Sequence, residues 1–502
     1  MGTITCHFKT FLNVEIGTGA EEIHHMNTDK SIIGNSITFI AFGITGDLMK
    51  QKILPALFQL HLKKNLPKRF HIIGISRQAW NQKQLQTYIT EVIRAIYPTE
   101  HGVLSSFLEL FQFFQGDIND KESYTQLKKT LADHDTQLNA CTNKLFYLAI
   151  GPKLHESTLS HLILSGIIEK NNTGNYWTRI IIEKPFGNDL TSAKRLEALI
   201  EPSFKEEQVY RADHYLLKKT VHNILDFRFV NNLFESRLNN EYVKHIHIKL
   251  LEDVGVEKRA AFYDGVGALR DMGQSHLLEI LALFTMEKPA SLEATAVRTR
   301  RAEILEMLVI LSSQETPIAT FRAQYQGYRD IEGVAPDSQT ETYFKIQATL
   351  SSPRWRGVPI FLESGKRLGH PLKEVSITFK PIDLNISSSH GRNNDSLIFP
   401  LELKENQAIY ESKESGARGE AQQEIDLFWS AAKGVYTEYE RLILDCIGGN
   451  QTLFVSIQEV MATWRYIDPI VAMWQKNLVP LNIYPQGTER ILEESKYIEN
   501  IR

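Results

Sequence analysis

Cysteine is scarce in this chain of 502 residues. The three cysteines, Cys6, Cys141 and Cys446, lie far apart, are odd in number and form no CxxC pair. This usage argues against a disulfide framework and against a cysteine-ligated zinc site. We therefore expect a cytoplasmic protein with no metal centre.

Long apolar runs are also missing. Apolar runs such as 281–285 and 180–182 fall well short of the roughly 20 residues that a membrane-spanning helix needs. Residues 1–35 lack a basic stretch followed by an apolar one, so we interpret them as a polar N-terminal arm and not as a signal peptide. No membrane association is expected.

Charge of one sign is not in excess either. The 56 Lys and Arg residues and the 60 Asp and Glu residues give a formal net charge of −4, which provides no bulk attraction for nucleic acid. A hydrophobic content of 42% and a charged content of 23% are typical of a globular protein. The length predicts two domains, and the weak net charge favours a small-molecule partner.

The amino-terminal part has the pattern of an α/β domain. An apolar strand over 37–42, a glycine turn, an amphipathic helix over about 48–64 and a strand over 71–75 form a predicted βαβ unit. Two later apolar segments, 144–150 and 179–183, are typical of buried parallel strands. The same sheet is expected to contain all four strands.

The remainder of the chain has a different pattern. Strand-like alternation over 245–251 and 342–350 brackets an apolar helix over about 267–286. We assign 36–202 to a Rossmann-like dinucleotide-binding domain and 203–502 to a larger α+β domain with a mainly antiparallel sheet.

The glycine turn after the first strand is the first candidate site. Backbone N–H groups and the helix dipole at Gly43-Ile-Thr-Gly46 favour a pyrophosphate, although a plain structural turn explains the glycines about equally well. The next strand ends at Ser76-Arg77, where an NAD-selective site places an acidic side chain. Arg77 suits a ribose phosphate instead, and after such a turn we favour this over a solvated surface arginine.

Two later segments carry titratable side chains. Asp213, His214 and Lys218 lie close together in the chain, which suits a phosphorylated substrate but also a salt-bridged helix start. His276 begins an apolar helix, where a lone histidine is more often a hydrogen-bonded core residue than a base. Asp271 lies about 140° away from His276 around an ideal α-helix, so the two would share a cleft only near the helix amino terminus.

Together these segments resemble the glucose-6-phosphate dehydrogenase family, with motifs in the same order from about 37 to about 469. The motifs are Gly43-Ile-Thr-Gly-Asp-Leu48, Phe146-Tyr-Leu148, Glu183-Lys-Pro-Phe-Gly187, Arg211-Ala-Asp-His-Tyr-Leu216 with Lys218, Arg270-Asp-Met with Gln274 and His276-Leu-Leu278, Gly357-Val-Pro359 with Gly365-Lys366, and Tyr439-Glu-Arg-Leu-Ile-Leu-Asp445. The resemblance implies NADP-dependent oxidation of glucose 6-phosphate to 6-phosphogluconolactone, the first step of the oxidative pentose phosphate pathway. It also implies a homodimer or homotetramer formed through the second domain.

The resemblance further implies roles for individual residues. His276 would remove the anomeric hydroxyl proton while hydride leaves that carbon for nicotinamide, and Asp213 would orient His276. The expected substrate contacts are the phosphate-binding His214, Tyr215 and Lys218, the hydroxyl-binding Glu252, Asp271 and Lys366, and Lys184 between sugar and cofactor. The expected cofactor contacts are Gly43, Thr45, Gly46, Asp47, Leu48 and Lys184, with Arg77 on the ribose phosphate and Asp117-Ile118 near the adenine-side ribose.

Two other functions remain open at this point. A related dehydrogenase acting on another hexose phosphate or on an unphosphorylated sugar would keep the same machinery, although His214 and Lys218 favour a phosphate. A catalytically silent paralogue that binds nucleotide would be a different class of protein, which the intact His276 and Asp213 disfavour. Leu217 stands where the family usually has glycine, and a bulky side chain beside the phosphate would alter which sugar phosphate fits.

Overall fold

The computed structural model describes residues 36–98, 101–168, 176–230, 234–381, 395–402, 407–413, 422–428 and 436–500. The predicted arm over 1–35 lies outside the described residues. Among those that are described, no helix combines the length and the apolarity needed to cross a bilayer.

Six parallel strands form the first sheet: β1 Ile37–Phe42, β2 Phe70–Ser76, β3 Phe111–Gln115, β4 Asn143–Leu148, β5 Thr178–Glu183 and β6 Val209–Ala212. Their spatial order is β3-β2-β1-β4-β5-β6, which confirms the Rossmann-like class. Every residue of the central strand β1 is buried, because both faces of the sheet are covered.

The described part of this domain has the α-helices α1 Leu54–Leu62, α2 Gln82–Ile96, α3 His101–Leu108, α4 Lys121–Gln137, α5 His155–Leu164 and α6 Leu190–Ile200. Side chains that accept hydrogen bonds from the first-turn N–H groups start three of them, with Asn81 before α2, Asp120 before α4 and Asp189 before α6. The helix predicted over 48–64 begins as a π-helical turn, Met49–Ile53, and continues as α1.

Within the described ranges, nine strands form the second sheet: β7 Val243–Leu251, β8 Thr320–Tyr325, β9 Tyr343–Ala348, β10 Ile360–Gly365, β11 Leu372–Phe379, β12 Ser396–Pro400, β13 Gln407–Lys413, β14 Gln422–Phe428 and β15 Leu481–Tyr484. Their order is β14-β13-β12-β11-β7-β10-β9-β8-β15. Only the pairs β7 with β10 and β8 with β15 are parallel. The described strands therefore confirm a mainly antiparallel sheet.

The helices of the second part are α7 Lys219–Leu225, α8 Ala260–Tyr263, α9 Leu278–Thr285, α10 Ala294–Glu306, α11 Thr316–Ala319, α12 Glu438–Gly448, α13 Ile457–Gln475 and α14 Arg490–Glu494. Two π-helical segments, Asp226–Val230 and Leu269–Leu277, lie among them. The helix predicted over 267–286 is thus a π-helix followed by α9, all of whose residues are buried.

The first sheet extends past the boundary predicted near 202. Strand β6 pairs with β5 from Ile180 opposite Val209 to Glu183 opposite Ala212. Helix α12 also packs Leu442 into the apolar cluster that covers one face of this sheet. We therefore place the boundary after Ala212, because strand pairing across a long connection decides where this domain ends.

A buried ion pair joins α10 to α13. Arg301 Nε lies 2.5 Å from Glu459 Oε1, and both side chains are 0% exposed. Arg301 also donates to Phe454 O at 2.7 Å, while Ser456 N donates to Glu459 Oε2 at 2.6 Å at the start of α13. The pair fixes the position of α13, whose Thr463 contacts the π-helix Leu269–Leu277.

We expect Arg301→Met to lower the free energy of unfolding by about 3–5 kcal/mol, because Glu459 would be left as an uncompensated buried charge. Urea denaturation measures the difference. Arg300→Met is the matched control on the same helix: Arg300 is 39% exposed and pairs with Glu303, so its loss costs less than about 1 kcal/mol. Equal losses in the two variants would contradict the assignment.

Candidate active site

The predicted site residues of the first domain lie at one edge of its sheet. Arg77 follows β2, Asp117 lies just beyond β3, Lys184 follows β5 and Asp213 follows β6. The carboxyl ends of parallel strands meet at the same edge, and ligands of such sheets bind there. Folding therefore brings together residues that are distant in the chain.

The glycine turn after β1 packs closely against the backbone that follows β4. Gly43 has φ +81°, and a Cβ there would lie 2.7 Å from Ala149 O, just beyond β4. Gly46 N donates to Gly43 O at 2.8 Å, and Thr45 Oγ1 lies 3.2 Å from Ser76 Oγ at the end of β2. The turn thus occupies the point between β1 and β4 where the strand order reverses, which is the usual place of a dinucleotide pyrophosphate.

The other predicted cofactor residues surround this turn. Asp117 and Ile118 line a cleft whose remaining walls are largely apolar residues of β1, β2, β3 and α4. Arg77 and Asp47 are exposed, and Leu48 is partly buried. The cleft presents an apolar surface, and the exposed Arg77 lies at the end of β2.

His276 is buried against Asp213. The His276 Nδ1 and Asp213 Oδ1 atoms are 2.6 Å apart, and the side chains are 1% and 0% exposed. Because a carboxylate only accepts, the proton of the neutral ring is on Nδ1 and Nε2 has a free lone pair. Burial lowers the pKa of His276, and the Asp213 carboxylate offsets this only in part. The imidazole is therefore a neutral base at physiological pH.

Asp213 remains ionised despite its burial. Burial by itself would raise the pKa of this carboxyl, but the neighbouring His276, His214 and Lys184 hold it well below its usual range. The carboxylate can stabilise the imidazolium that forms when His276 takes a proton. Atoms of Asp213, His214 and His276 that could bind a metal ion also lie within 4.8 Å of one another. The short hydrogen bond between His276 Nδ1 and Asp213 Oδ1 favours a proton-transfer site over a metal site, because it already uses one potential ligand atom of each residue.

A π-helix brings Asp271 and His276 to the same cleft. These residues lie on the segment Leu269–Leu277. A π-helix hydrogen-bonds residue i to residue i+5, so residues five apart lie on adjacent turns of one face. The separation of about 140° expected for an ideal α-helix is therefore wrong here. Such segments occur frequently at functional sites.

Contacts at both ends hold this π-helix. Leu269 N donates to Glu341 Oε1 at 2.9 Å, and Gln274 Nε2 donates to Thr463 Oγ1 of α13 at 2.9 Å. Gly267, with φ +80°, precedes the segment and has no room for a Cβ beside the Glu341 carboxylate. The segment has no side-chain cap at its start, and these two hydrogen bonds attach it to its surroundings on either side of Asp271.

Lys184 crosses from the first domain to the second. Its Nζ donates to Asp271 O at 2.6 Å and to Asp271 Oδ1 at 3.0 Å. Burial would raise the pKa of Asp271, but Lys184 and Lys366 hold it below its usual range. Lys366 in turn donates to Glu252 Oε2 at 2.5 Å. The predicted sugar-binding residues thus form a connected set of alternating charges.

Two of the predicted phosphate-binding residues, His214 and Tyr215, lie against the His276 ring, and the third, Lys218, lies against Tyr215. The ring centroids of His214 and Tyr215 lie 4.7 Å and 4.1 Å from that of His276, and Lys218 Nζ lies 4.1 Å from the centroid of the Tyr215 ring. Burial and the nearby His276 hold the pKa of His214 well below its ordinary value, so His214 provides a donor and little charge. The Leu217 side chain is 2% exposed and packs into the apolar cluster of the first domain.

Three residues at this site were missed by the sequence analysis. Burial raises the pKa of Glu183 to about 7, and its Oε1 accepts from Tyr147 OH at 2.6 Å. Its place before Lys184, at the end of an apolar strand, was a usable signal. Lys373 and Glu402 also belong to this site, since both lie beside Lys218. They are so far from Lys218 in the chain that no local sequence pattern could have predicted this proximity.

Family models match almost the whole described chain. The model for the glucose-6-phosphate dehydrogenase NAD binding domain matches residues 40–223, and the model for the glucose-6-phosphate dehydrogenase C-terminal domain matches residues 225–501. Both matches include predicted site residues, with Lys184 and Asp213 in the first and Asp271 and His276 in the second.

Relatives and a solved structure agree with these models. The chain is 34% identical over 480 residues to glucose-6-phosphate 1-dehydrogenase of Chlamydia pneumoniae, covering 92% of this chain and 94% of that protein. It is 34% identical over 472 residues to the Rhizobium meliloti enzyme of the same name, covering 90% and 93%. A structure described as glucose-6-phosphate dehydrogenase in complex with its substrate glucose-6-phosphate superposes with a TM-score of 0.81 at 27% identity, covering 93% and 98%.

We expect the His276 ring to titrate below the ordinary value of about 6.5, and Asp213→Asn to lower that pKa further, because the carboxylate favours the charged ring. NMR of histidine-labelled protein over a pH series measures both values. His155, whose pKa burial lowers to about 4, is an internal control that Asp213→Asn leaves unchanged. A His276 pKa that rises in the variant is incompatible with this electrostatic arrangement.

Proposed function

This chain belongs to the glucose-6-phosphate dehydrogenase family, and on that premise we propose that it oxidises glucose 6-phosphate to 6-phosphogluconolactone with reduction of NADP. The observation that carries the proposal is the buried pair of His276 and Asp213, beside Lys184 and Asp271 at the edge of a dinucleotide-binding sheet. A neutral, oriented imidazole is what proton removal from a sugar hydroxyl requires.

The proposed proton transfer uses atoms that the fold already orients. His276 Nε2 takes the proton of the anomeric hydroxyl, and the Asp213 carboxylate stabilises the resulting imidazolium. A nicotinamide cofactor held at the glycine turn would supply the hydride acceptor for the same carbon, so that loss of the proton and the hydride would convert the hydroxyl carbon into the lactone carbonyl. General base catalysis of this kind typically contributes about 10²–10⁴-fold in rate.

The charged residues of the cleft are proposed to position the substrate. Lys366 and Glu252 lie on the loops after β10 and β7, where Glu252 N donates to Gly365 O at 2.8 Å. We propose that they hold sugar hydroxyls together with Asp271, and that Lys218 binds the phosphate with His214 and Tyr215. Fixing the substrate at several points raises the rate, since it replaces a bimolecular encounter with an oriented complex.

The preference for NADP is part of the proposal. The steric fit of Gly43 against Ala149 O supports a backbone cradle for a pyrophosphate, formed with Thr45 and Gly46. Arg77 provides a planar cation where NAD-selective proteins place a carboxylate. Asp47, Leu48, Asp117 and Ile118 complete the proposed contacts, with Lys184 between cofactor and sugar.

Assembly and location are further parts of the proposal. The family resemblance supports a homodimer or homotetramer formed through the second sheet, which light scattering of the purified protein measures directly. The scarcity of cysteine supports a reducing compartment, and we propose the cytoplasm.

The central test is reduction of NADP, followed by absorbance, with glucose 6-phosphate as substrate and with glucose and NAD as controls. Rapid reduction only with the phosphorylated sugar supports the proposal; faster turnover of another hexose phosphate would change the substrate assignment. NADP binding without turnover of any sugar would indicate a silent paralogue.

His276→Asn is expected to reduce kcat by about 10²–10⁴-fold with a much smaller effect on substrate binding. The matched control is His247→Asn, which removes another buried histidine paired with a carboxylate, 2.7 Å from Glu363, outside the site. Steady-state kinetics on folded protein compare the two. A kcat within twofold of the parent for His276→Asn would exclude His276 as the base.

Arg77→Ala is expected to weaken use of NADP by about 10-fold or more and use of NAD much less, because only NADP carries the phosphate that the guanidinium would bind. The ratio of kcat/KM for the two cofactors measures this. Arg69→Ala, which changes another basic residue near the first sheet but before β2, is the control. Equal losses with both cofactors would refute the phosphate contact.

A further inference from the structure

Two lysines from distant parts of the chain converge on one carboxylate oxygen. Glu402 Oε1 lies 2.5 Å from Lys218 Nζ and 2.9 Å from Lys373 Nζ. Lys218 precedes α7, Lys373 is the second residue of β11, and Glu402 follows β12. We call Lys218 and Lys373 the lysine pair. An oxygen anion held between two ammonium groups occupies a position suited to a phosphate oxygen.

Backbone contacts deliver Glu402 to this position. Leu401 N donates to Lys373 O at 2.8 Å, and Leu401 O accepts from Thr220 Oγ1 at 2.8 Å. The side chains of the lysine pair are only 12% and 15% exposed, whereas that of Glu402 is 45% exposed. The cations are thus held in place, while the carboxylate faces solvent and can leave.

Lys373 also links the lysine pair to the proposed sugar-binding residues. Its Nζ lies 4.0 Å from Glu252 Oε1, and Glu252 Oε2 accepts from Lys366 at 2.5 Å. The register explains this placement, since Leu372 lies opposite Leu251, directly before Glu252. Lys373 therefore lies between the hydroxyl-binding residues and Lys218.

The charge of a phosphate also supports a role for Lys373 beside Lys218. A phosphate monoester carries nearly two negative charges at neutral pH. Lys218 supplies one positive charge, and the neighbouring His214 is held neutral by burial. A second cation is needed beside Lys218, and Lys373 meets the same carboxylate oxygen as Lys218.

We propose that Lys373 and Lys218 together bind the phosphate of the substrate, and that Glu402 competes with that phosphate for the lysine pair. This inference rests on the proposed function, because it names a further residue of the same site. Because the Glu402 carboxylate is 45% exposed and can return to water, its pairing contributes little to stability, and a dianion that binds both ammonium groups displaces it readily. Glu402 thereby weakens phosphate affinity and speeds release of a phosphorylated product.

The test combines equilibrium titration of inorganic phosphate with steady-state kinetics on glucose 6-phosphate, using the full chain. Lys373→Met is expected to raise the Kd for phosphate and the KM for glucose 6-phosphate by about 10-fold, with a much smaller change in kcat. Glu402→Gln is expected to lower both constants by about threefold, because the competing charge is removed while the side-chain shape is kept.

Lys380→Met is the matched control, because Lys380 lies just beyond the same strand and its Nζ donates to a backbone oxygen, Asn240 O, at 2.6 Å. Unchanged phosphate affinity in Lys373→Met would overturn the role of Lys373. Weaker phosphate binding in Glu402→Gln would overturn the competition. Phosphate binding that depends on the lysine pair, in a protein that does not oxidise glucose 6-phosphate, would contradict the proposed function and leave this inference standing.

Discussion

The hydrogen bond between His276 and Asp213 is the contact on which the rest of the site depends. It joins the carboxyl end of β6 to the π-helix of the second domain, and neither side chain has appreciable solvent exposure. A carboxylate buried at this depth is stable only when a donor or a cation accompanies it. The same pair of residues, His276 and Asp213, therefore both connects the two domains at the cleft and carries the proton-accepting imidazole.

Opposite charges elsewhere in the cleft follow the same rule. Lys184 pairs with Asp271, Lys366 with Glu252, and the lysine pair with Glu402. Removing two charges from water is expensive, but each of these cations has a carboxylate within hydrogen-bond distance. At the proposed phosphate site, a phosphorylated substrate would exchange one anionic partner of the lysine pair for another, which costs less than separating the cations from any anion.

The sequence predicted strands that have a local pattern, but it did not predict long-range pairing and packing. The strand over 37–42 was predicted with both bounds correct, because a central parallel strand is continuously apolar and a glycine ends it. The sequence did not reveal that the first sheet continues beyond 202, since β6 pairs with β5 across a connection of more than twenty residues. The packing of Leu442 against the first sheet was not predicted either, because Leu442 is distant from that sheet in the chain.

The candidate site shows the same division. Asp213, His214 and Lys218 were recognised because charged residues cluster in the chain, and Gly43 because it follows a strand. The relation between Asp271 and His276 was misjudged, since an α-helical period was assumed where contacts from Glu341 and Thr463 hold a π-helix.

By itself, the sequence determined the two-domain α/β and α+β organisation, the family resemblance and the residue types available for proton transfer and anion binding. These depend on local periodicity and on motifs within a few residues. The family resemblance implied that Asp213 would orient His276, but only the tertiary structure placed the two side chains in hydrogen-bond contact and decided that Lys184 reaches Asp271 and that Lys373 joins Lys218. Such contacts arise from strand order and register, which place residues more than sixty positions apart within a few ångströms, and no local pattern encodes that distance.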